Sequence, residues 1–440
     1  YKVLFEKENP QRGLLSIYFF MEKRSFLKGL TGLGLLTPGT LNHLDELISS
    51  IGHLSDKALA NYEDFWLKIR ADYRLTSDYI NLENGFYCIM PRQIEDHYIE
   101  HIKKINFQGS YYMRSVQMEN KKIAASCLAK MAGCLPEELI ITRNTTESLD
   151  LVIYGQKWEK GDEAIMAVQD YGAMRNQFRL MERRFGISVR EVSIPNHPKN
   201  DEEIVNMYES VITPKTRLLM ICHIVNITGQ IMPVQKICDM AHRYGIRVVV
   251  DGAHAFGHIQ FSIQDLHCDY YGTSLHKWLN VPLGAGFLYV KKDQIADLWP
   301  LFADESRDSV DILRLNHVGT YPVHIDLAII DAIDYYQKIG GGRKEARLRY
   351  LQKYWTDQVR NLPRVVVNTP VESKRYCGIG NVGIESVKPA DFAKQLLNDY
   401  QIWTVAINSP GVRGLRITPN LFTTTKELDV LVKAIKDLSN

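Results

Sequence analysis

Two residues in the middle of the chain have the types and the order that a carbonyl cofactor requires. Lys277 stands in the stretch GTSLHKW and lies 26 residues after Asp251, which ends the run VVVD. A lysine amine can form a Schiff base with an aldehyde, and a carboxylate can keep a pyridine nitrogen protonated. Together they match the chemical needs of pyridoxal 5'-phosphate (PLP), although either residue alone would indicate little.

The phosphate of such a cofactor would need hydroxyl donors and the free N–H groups of a helix start. Thr145 and Thr146 stand where a helix is predicted to begin, and they can supply both. Ser274 and His276 come just before Lys277 and can reach the same phosphate. The two threonines can also be plain helix caps, and the residues alone leave both interpretations open.

The elements that must position these residues alternate between strand and helix from about residue 120. Short apolar strands are predicted at 139–142, 164–168, 218–222 and 248–250, with helices at 121–132, after Asn144, up to Arg184 and at 234–244. This alternation predicts an α/β fold with a mainly parallel sheet. Asp251 would then stand at the carboxyl edge of the sheet, where α/β proteins bind ligands.

The last third of the chain has a different pattern. It contains a helix-rich stretch at 324–360, strands near 364–367 and 380–385, and helices at 389–399 and 426–438. We interpret this part as a smaller α+β domain that begins near residue 321.

The composition excludes several classes of protein. The 440 residues are 45% hydrophobic and 24% charged, which is typical of a soluble globular protein. The net charge of +2, without a dense basic run, argues against a nucleic-acid surface. The seven cysteines form no C-x-x-C pair, so they indicate neither a disulfide framework nor a zinc site. No apolar stretch is long enough to span a bilayer.

Four ordered segments resemble the class V aminotransferase family. They read ITRNTTESLDLV, HIVNITGQIMPV, VVVDGAHAFGH and GTSLHKWLNVPLGAGFLYV, and the resemblance covers about residues 80–440. The family comprises fold-type I PLP enzymes and includes cysteine desulfurases, selenocysteine lyases and isopenicillin N epimerases. It implies a large domain with a mainly parallel, seven-stranded sheet and a small C-terminal α+β domain.

From these patterns we divide the chain into four parts. We expect a leader at 1–50, an N-terminal segment at 51–85 that packs on the small domain, a large PLP-binding domain at 86–320, and the small domain at 321–440.

By position, the family implies a role for each candidate residue. Lys277 would hold the cofactor as a Schiff base and move the α-proton of the substrate, and Asp251 would pair with the pyridine nitrogen. Asn226 and His254 would lie at the phenolic oxygen. Tyr171 would stack on the cofactor ring, with a core aromatic as the alternative. The phosphate would be bound by Thr145, Thr146, Ser274 and His276.

Two further segments imply contacts beyond the cofactor. Gly319-Thr320 matches a Gly-Thr pair that reaches the phosphate of the neighbouring subunit, which implies a homodimer with shared active sites. Arg416, in GVRGLRITPN, matches the arginine that grips the substrate carboxylate, with Arg413 as the competing choice.

One absence argues against part of the family. Cysteine desulfurases carry a nucleophilic cysteine on a loop before the carboxylate-binding arginine, whereas the corresponding loop at Ala406–Gly411 has none. Cys377 is more consistent with a structural role. The sequence therefore favours an isopenicillin N epimerase-like enzyme that acts at the Cα of an amino acid or a derivative. An aminotransferase or C–S lyase, and a non-catalytic binding protein of the same fold, remain as alternatives.

The beginning of the chain allows two locations. Met21 resembles a start, and residues 1–20 are set aside from the fold. Lys23-Arg24, followed by Ser-x-Leu and a short apolar run, resembles a twin-arginine export signal in which lysine replaces the first arginine. The alternative is an N-terminal amphipathic helix of a cytoplasmic protein, so periplasmic and cytoplasmic locations both stay open.

Overall fold

The computed structural model describes residues 38–52, 54–304 and 306–440. The predicted leader at 1–50 therefore lies mostly outside the described residues, as does its pair Lys23-Arg24. Two compact units are present, one with the helix Pro38–Ile51 and the other with every further element. In the described part of the chain, no helix combines the length and the apolar character needed to cross a membrane.

The elements are numbered along the chain. The helices are α1 (Pro38–Ile51), α2 (Asp56–Ala60), α3 (Glu63–Arg70), α4 (Arg92–Gln108), α5 (Ser110–Ser115), α6 (Gln117–Ala132), α7 (Thr145–Gly155), α8 (Gly172–Phe185), α9 (Asp201–Glu209), α10 (Val234–Arg243), α11 (Ile263–Leu266), α12 (His324–Ile339), α13 (Gly341–Val359), α14 (Pro389–Tyr400) and α15 (Thr425–Ser439). The strands are β1 (Ile80–Asn81), β2 (Leu139–Thr142), β3 (Glu163–Ala167), β4 (Ser188–Val192), β5 (Thr216–Cys222), β6 (Arg247–Asp251), β7 (Tyr270–Ser274), β8 (Gly286–Val290), β9 (Val365–Val367), β10 (Gly380–Ile384), β11 (Ile402–Trp403), β12 (Val405–Ser409) and β13 (Val412–Ile417).

Seven strands form the large sheet, in the order β2-β8-β7-β6-β5-β3-β4. Only β8 runs against its neighbours, and the remaining pairs are parallel. Every residue of β7 and β8 is buried, which explains why β8 (GFLYV) is an apolar run rather than an alternating one. The predicted α/β class with a mainly parallel, seven-stranded sheet is confirmed.

A second, antiparallel sheet of four strands follows in the order β12-β13-β10-β9. Its apolar core includes Trp355 of α13, Phe392 of α14 and Leu431 of α15, all fully buried. The smaller C-terminal α+β part is therefore present as expected. The boundary between residues 320 and 321 stays a prediction.

The local signals in the sequence act much as expected. Asn144 begins α7, and its side chain accepts a hydrogen bond from the N–H of Glu147 at 2.9 Å. The reciprocal bond differs from a capping box, because Glu147 accepts from the N–H of Arg143 instead. Gly245 follows α10 with a φ of +70°, which suits glycine at a helix end.

One prediction was wrong in kind. The segment Ala406–Gly411 was expected to be a loop, but most of it belongs to β12, which forms a hairpin with β13. Only Pro410 and Gly411 connect the strands, and Gly411 has a φ of +74°. The sequence did not predict this strand, because Asn408 and Ser409 are residue types that are more common in turns.

Arg347 joins three separate parts of the chain behind the small sheet. Its side chain on α13 is fully buried and donates to the carbonyls of Ala60 and Thr423, each at 3.0 Å. It also forms an ion pair with Glu63 of α3. The two carbonyls and the carboxylate are acceptors that each depend on this guanidinium for a hydrogen bond or an ion pair. Loss of the guanidinium would leave all three without this donor.

We expect Arg347→Met to lower the free energy of unfolding by about 3 kcal/mol, because it leaves two carbonyls and a carboxylate without their donor. Lys353→Met, on the same helix, removes an exposed ion pair with Asp357 and should cost less than about 0.5 kcal/mol. Denaturant unfolding of both variants measures the difference. Equal losses would contradict the buried role of Arg347.

Candidate active site

The carboxyl ends of two neighbouring strands bring the predicted residues together. β6 ends at Asp251 and pairs in parallel with β7, with Asp251 opposite Gly272. β7 ends at Ser274, and Lys277 follows it closely, as His254 follows β6. This edge of a parallel sheet is the usual place for a ligand in an α/β fold.

The amine of Lys277 faces an imidazole. Its Nζ lies 3.2 Å from Nε2 of His254. Burial lowers the pKa of Lys277 to about 8 against the opposing attraction of Asp251, and the positive charge of Arg416 adds to the lowering. An appreciable fraction of this amine is therefore neutral at slightly alkaline pH, as a nucleophile requires.

Asp251 is a carboxylate that the protein has almost wholly removed from water. The residue is 5% exposed, and its Oδ1 accepts a hydrogen bond from the N–H of Ala253 at 2.9 Å. Burial raises the pKa of Asp251, while this hydrogen bond and Lys277 lower it. A buried carboxylate is stabilised by a cationic N–H partner, and a protonated pyridine nitrogen is a partner of that type.

The hydroxyl groups predicted for phosphate meet at the start of α7. The Oγ of Ser274 accepts from the N–H of Thr145 at 2.9 Å and lies 2.7 Å from its Oγ1. Thr146 follows in the first turn and is half-buried. The Nδ1 of His276 is buried without a hydrogen-bond partner, and burial lowers the pKa of His276 to about 4. These are neutral donors beside a helix N-terminus, as a phosphate prefers.

Asn226 provides a second buried polar atom without a hydrogen-bond partner, in addition to Nδ1 of His276. Its side-chain Oδ1 is buried with no hydrogen-bond partner, whereas its backbone carbonyl accepts from Nη1 of Arg416 at 3.4 Å. Buried polar atoms are usually paired, so unpaired ones near an active site indicate a polar ligand. Asn226 and His276 both fit this description.

Arg416 is buried and already paired. Its Nε donates to Oε2 of Glu83 at 3.2 Å and its Nη2 donates to Oε1, with both side chains 8% exposed. A Cβ added at Gly85 would lie 3.1 Å from the guanidinium carbon, so the glycine backbone lies against the arginine. Glu83 therefore holds the Nε edge of Arg416, and the carbonyl of Asn226 accepts from Nη1. Each of the two Nη nitrogens keeps a second N–H for another acceptor.

Three other candidates are exposed to solvent and not packed into this cluster. Arg413, on the same strand as Arg416, is exposed. Tyr171 is 45% exposed and stands immediately before α8, in line with a residue that covers a cleft. Thr320 is exposed, and Gly319 before it has a φ of +71°. No hydrogen bond among the described residues joins Thr320 to the cluster.

Sequence reasoning missed several residues of the site. Glu83 lies 333 positions from its partner Arg416, and no pattern in the stretch NLENGF predicts this pairing. Trp278 also contacts the cluster, through His254, and Lys344 contacts Trp278 in turn. The tripeptide HKW, which places Trp278 next to Lys277, is the sequence signal that could have found it. Among the described residues, no group of His, Cys, Asp and Glu is arranged to hold a metal ion.

The family model described as aminotransferase class-V matches residues 93–414. The chain belongs to the class-V aminotransferase family. Members of this family depend on PLP, so the protein is a PLP-dependent enzyme. Asp251, the start of α7, and the unpaired atoms of Asn226 and His276 fit this cofactor.

Three similar proteins illustrate the breadth of the class-V family. The chain is 28% identical to the isopenicillin N epimerase of Streptomyces clavuligerus over 333 residues, 72% of this chain and 84% of that protein. It is 28% identical to the isopenicillin N epimerase of Amycolatopsis lactamdurans over 397 residues, 85% and 98% of the two chains. The apo cysteine desulfurase of Thermococcus onnurineus NA1 superposes with a TM-score of 0.74 at 20% identity, over 84% of this chain and 97% of that one, which shows a shared fold.

The lowered pKa of Lys277 leads to a direct test. In the full chain prepared without cofactor, we expect the rate of modification of Lys277 by an amine reagent to rise with pH around a midpoint near 8, because burial disfavours the ammonium form. Mass spectrometry of the Lys277 peptide gives the rate. The same peptide in the denatured chain is the control and should show a midpoint near the ordinary value of 10.5. Equal midpoints in the two states would contradict the burial effect.

Proposed function

We propose that this PLP enzyme removes and returns the Cα proton of an amino acid or an amino-acid-derived substrate, as an isopenicillin N epimerase-like enzyme. The observation that carries the proposal is the cluster in which the buried carboxylate of Asp251 and the buried guanidinium of Arg416 both act electrostatically on the amine of Lys277. When bound, PLP supplies an electron sink for the negative charge that forms at Cα.

Each part of the cluster has a proposed task toward the cofactor. Lys277 attaches it, Asp251 holds its ring nitrogen, Asn226 and His254 contact its phenolic oxygen, and Tyr171 covers its ring. The proposed phosphate ligands are Thr145, Thr146, Ser274 and His276. The support for this assignment is the joining of Thr145 and Ser274 at a helix start and the unpaired atoms of Asn226 and His276.

Lys277 is also the proposed base at Cα. A general base works best when its pKa lies near the operating pH, and burial brings the pKa of Lys277 to about 8. The neutral amine can accept the Cα proton, and the resulting ammonium is stabilised by the nearby negative charge of Asp251.

Arg416 is the proposed anchor for the substrate carboxylate. Glu83 fixes the guanidinium along its Nε edge, so the arginine is held in place before a substrate arrives. A carboxylate at the free end of the guanidinium would orient the Cα–H bond, and such positioning contributes strongly to rate.

The proposed assembly is a homodimer. Gly319 and Thr320 are exposed in a single chain, which leaves them free for the phosphate of a neighbouring subunit. This role is carried over from the family resemblance.

A persulfide-forming mechanism receives no support. Neither β12 nor the turn after it contains a cysteine. Cys377 is fully buried, contacts the carbonyls of His258 and Glu345 at 3.9 and 3.8 Å, and has a pKa raised to about 12 by burial. A thiol in this state is a poor nucleophile.

The reaction is tested in deuterium oxide with a panel of L- and D-amino acids. We expect wild-type enzyme to place deuterium at Cα and to form the opposite enantiomer, with a visible cofactor band that borohydride removes. Lys277→Ala should lose this band and slow the exchange by at least about 100-fold. Lys130→Ala, at an exposed lysine, is the control and should keep both properties. Formation of a keto acid or release of sulfide without exchange would contradict the proposal.

Arg416→Lys should raise the KM for a carboxylate-bearing substrate by roughly 10- to 100-fold, because lysine cannot offer two parallel N–H donors. Arg413→Lys is the matched control on the same strand and should leave KM unchanged. Steady-state kinetics measure both variants. An equal rise in the two would place the carboxylate elsewhere.

A further inference from the structure

Behind Lys277 lies a layer of three aromatic side chains that fix one another. The rings of Trp278 and His258 are stacked, with centroids 3.7 Å apart and an angle of 16° between the planes. The indole N–H of Trp278 donates to Nδ1 of His254 at 3.3 Å. All three side chains are buried. His254 is the member of this layer that contacts Lys277.

The tautomer of His258 follows from its two neighbours. Its Nδ1 lies 2.7 Å from the carbonyl of His254, which can only accept, so Nδ1 carries the proton. Its Nε2 accepts from the N–H of Gly378 at 2.7 Å. Burial lowers the pKa of His258 well below its usual value, so the ring is neutral. Both nitrogens are thus occupied, and the ring forms a fixed platform for Trp278.

Trp278 is held at its other end as well. The amine of Lys344, on α13, donates to the carbonyl of Trp278. The backbone of Gly257 packs closely against it, since an added Cβ would lie 3.1 Å from the Trp278 carbonyl. Because the ring of Trp278 is stacked and its carbonyl accepts a hydrogen bond, its orientation is fixed. The indole N–H therefore points toward Nδ1 of His254.

The same logic fixes the proton of His254. Burial lowers the pKa of His254 well below its usual value, so this ring is also neutral and has one N–H. Its Nδ1 accepts from Trp278 and therefore carries no proton, which leaves the proton on Nε2. This Nε2 is the atom 3.2 Å from the Lys277 amine.

We propose that Trp278 is a positioning residue that fixes the proton of His254 on Nε2, so that His254 presents an N–H donor to the amine of Lys277. A neutral amine can accept this hydrogen bond. An ammonium cannot, because two donors would then face each other. Trp278 therefore favours the neutral form of Lys277 through His254 and contributes to its nucleophilic state.

Other charges also act on these groups and must stay unchanged in a test. Arg416 lowers, and Asp251, Cys222 and Glu83 raise, the pKa of Lys277. Burial lowers the pKa of His254 most, and the positive charges of Lys277 and Arg416 lower it further. Trp278→Phe leaves all of them in place and keeps an aromatic ring on His258, while it removes the N–H donor together with one ring of the indole, a loss of volume that the control below shares.

The test uses the full chain without cofactor, so its outcome does not depend on the proposed reaction. In Trp278→Phe, the proton of His254 is free to move to Nδ1, and Nε2 can then accept from the Lys277 ammonium. We expect the midpoint for amine modification of Lys277 to rise by about one pH unit, a tenfold change in proton affinity. Trp355→Phe is the control, because Trp355 is equally buried and donates to Gln352 in the small domain. It should leave the midpoint unchanged.

A second measurement needs no buried substitution. Wild-type protein labelled with 15N-histidine should show His254 as a neutral ring protonated on Nε2, with its signals assigned by their loss in His254→Gln. An Nδ1–H tautomer or an imidazolium at His254 would overturn the proposal. So would an unchanged or lowered Lys277 midpoint in a folded Trp278→Phe variant.

Discussion

The removal of one lysine amine from water is the condition on which the rest of the site depends. Burial lowers the pKa of Lys277 to about 8, and only the attraction of Asp251 and weaker negative neighbours opposes it. In water the same amine would be almost entirely charged at neutral pH. The dry carboxyl edge of the large sheet, with β7 buried along its whole length, therefore determines how this lysine reacts.

Both sheets contribute side chains to the candidate site. The large sheet supplies Asp251 and Ser274 at the ends of adjacent strands, whereas the antiparallel sheet supplies Arg416 from β13. Glu83, which pairs with Arg416, follows the short strand β1, which pairs with β11. A pocket assembled from such distant parts of the chain is stable only if the surrounding core is well packed, as the buried guanidinium of Arg347 and its three partners indicate.

The sequence predicted the parts of this molecule whose signals are local. Parallel strands buried on both faces are continuous apolar runs, so the strand that ends at Asp251 was found with its bounds nearly right. The strand β12 was missed because its Asn and Ser resemble a turn. The pairing of Glu83 with Arg416 was missed because two residues 333 positions apart leave no pattern that one sequence can show. Side-chain tautomers belong to the same class, since they follow from contacts and not from spacing.

The balance of charge around Lys277 limits what the site can accommodate. Two acidic side chains, Asp251 and Glu83, face two basic ones, Lys277 and Arg416, and the histidines between them are neutral because they are buried. A further charge brought into such a dry place would be costly unless it arrived with its own counter-charge. An amino acid zwitterion adds a carboxylate and an ammonium together, so it leaves the balance as it was. At the proposed site, the phosphate of the cofactor would lie outside this balance, because a helix N-terminus and hydroxyl donors at Thr145 can stabilise it without a paired cation.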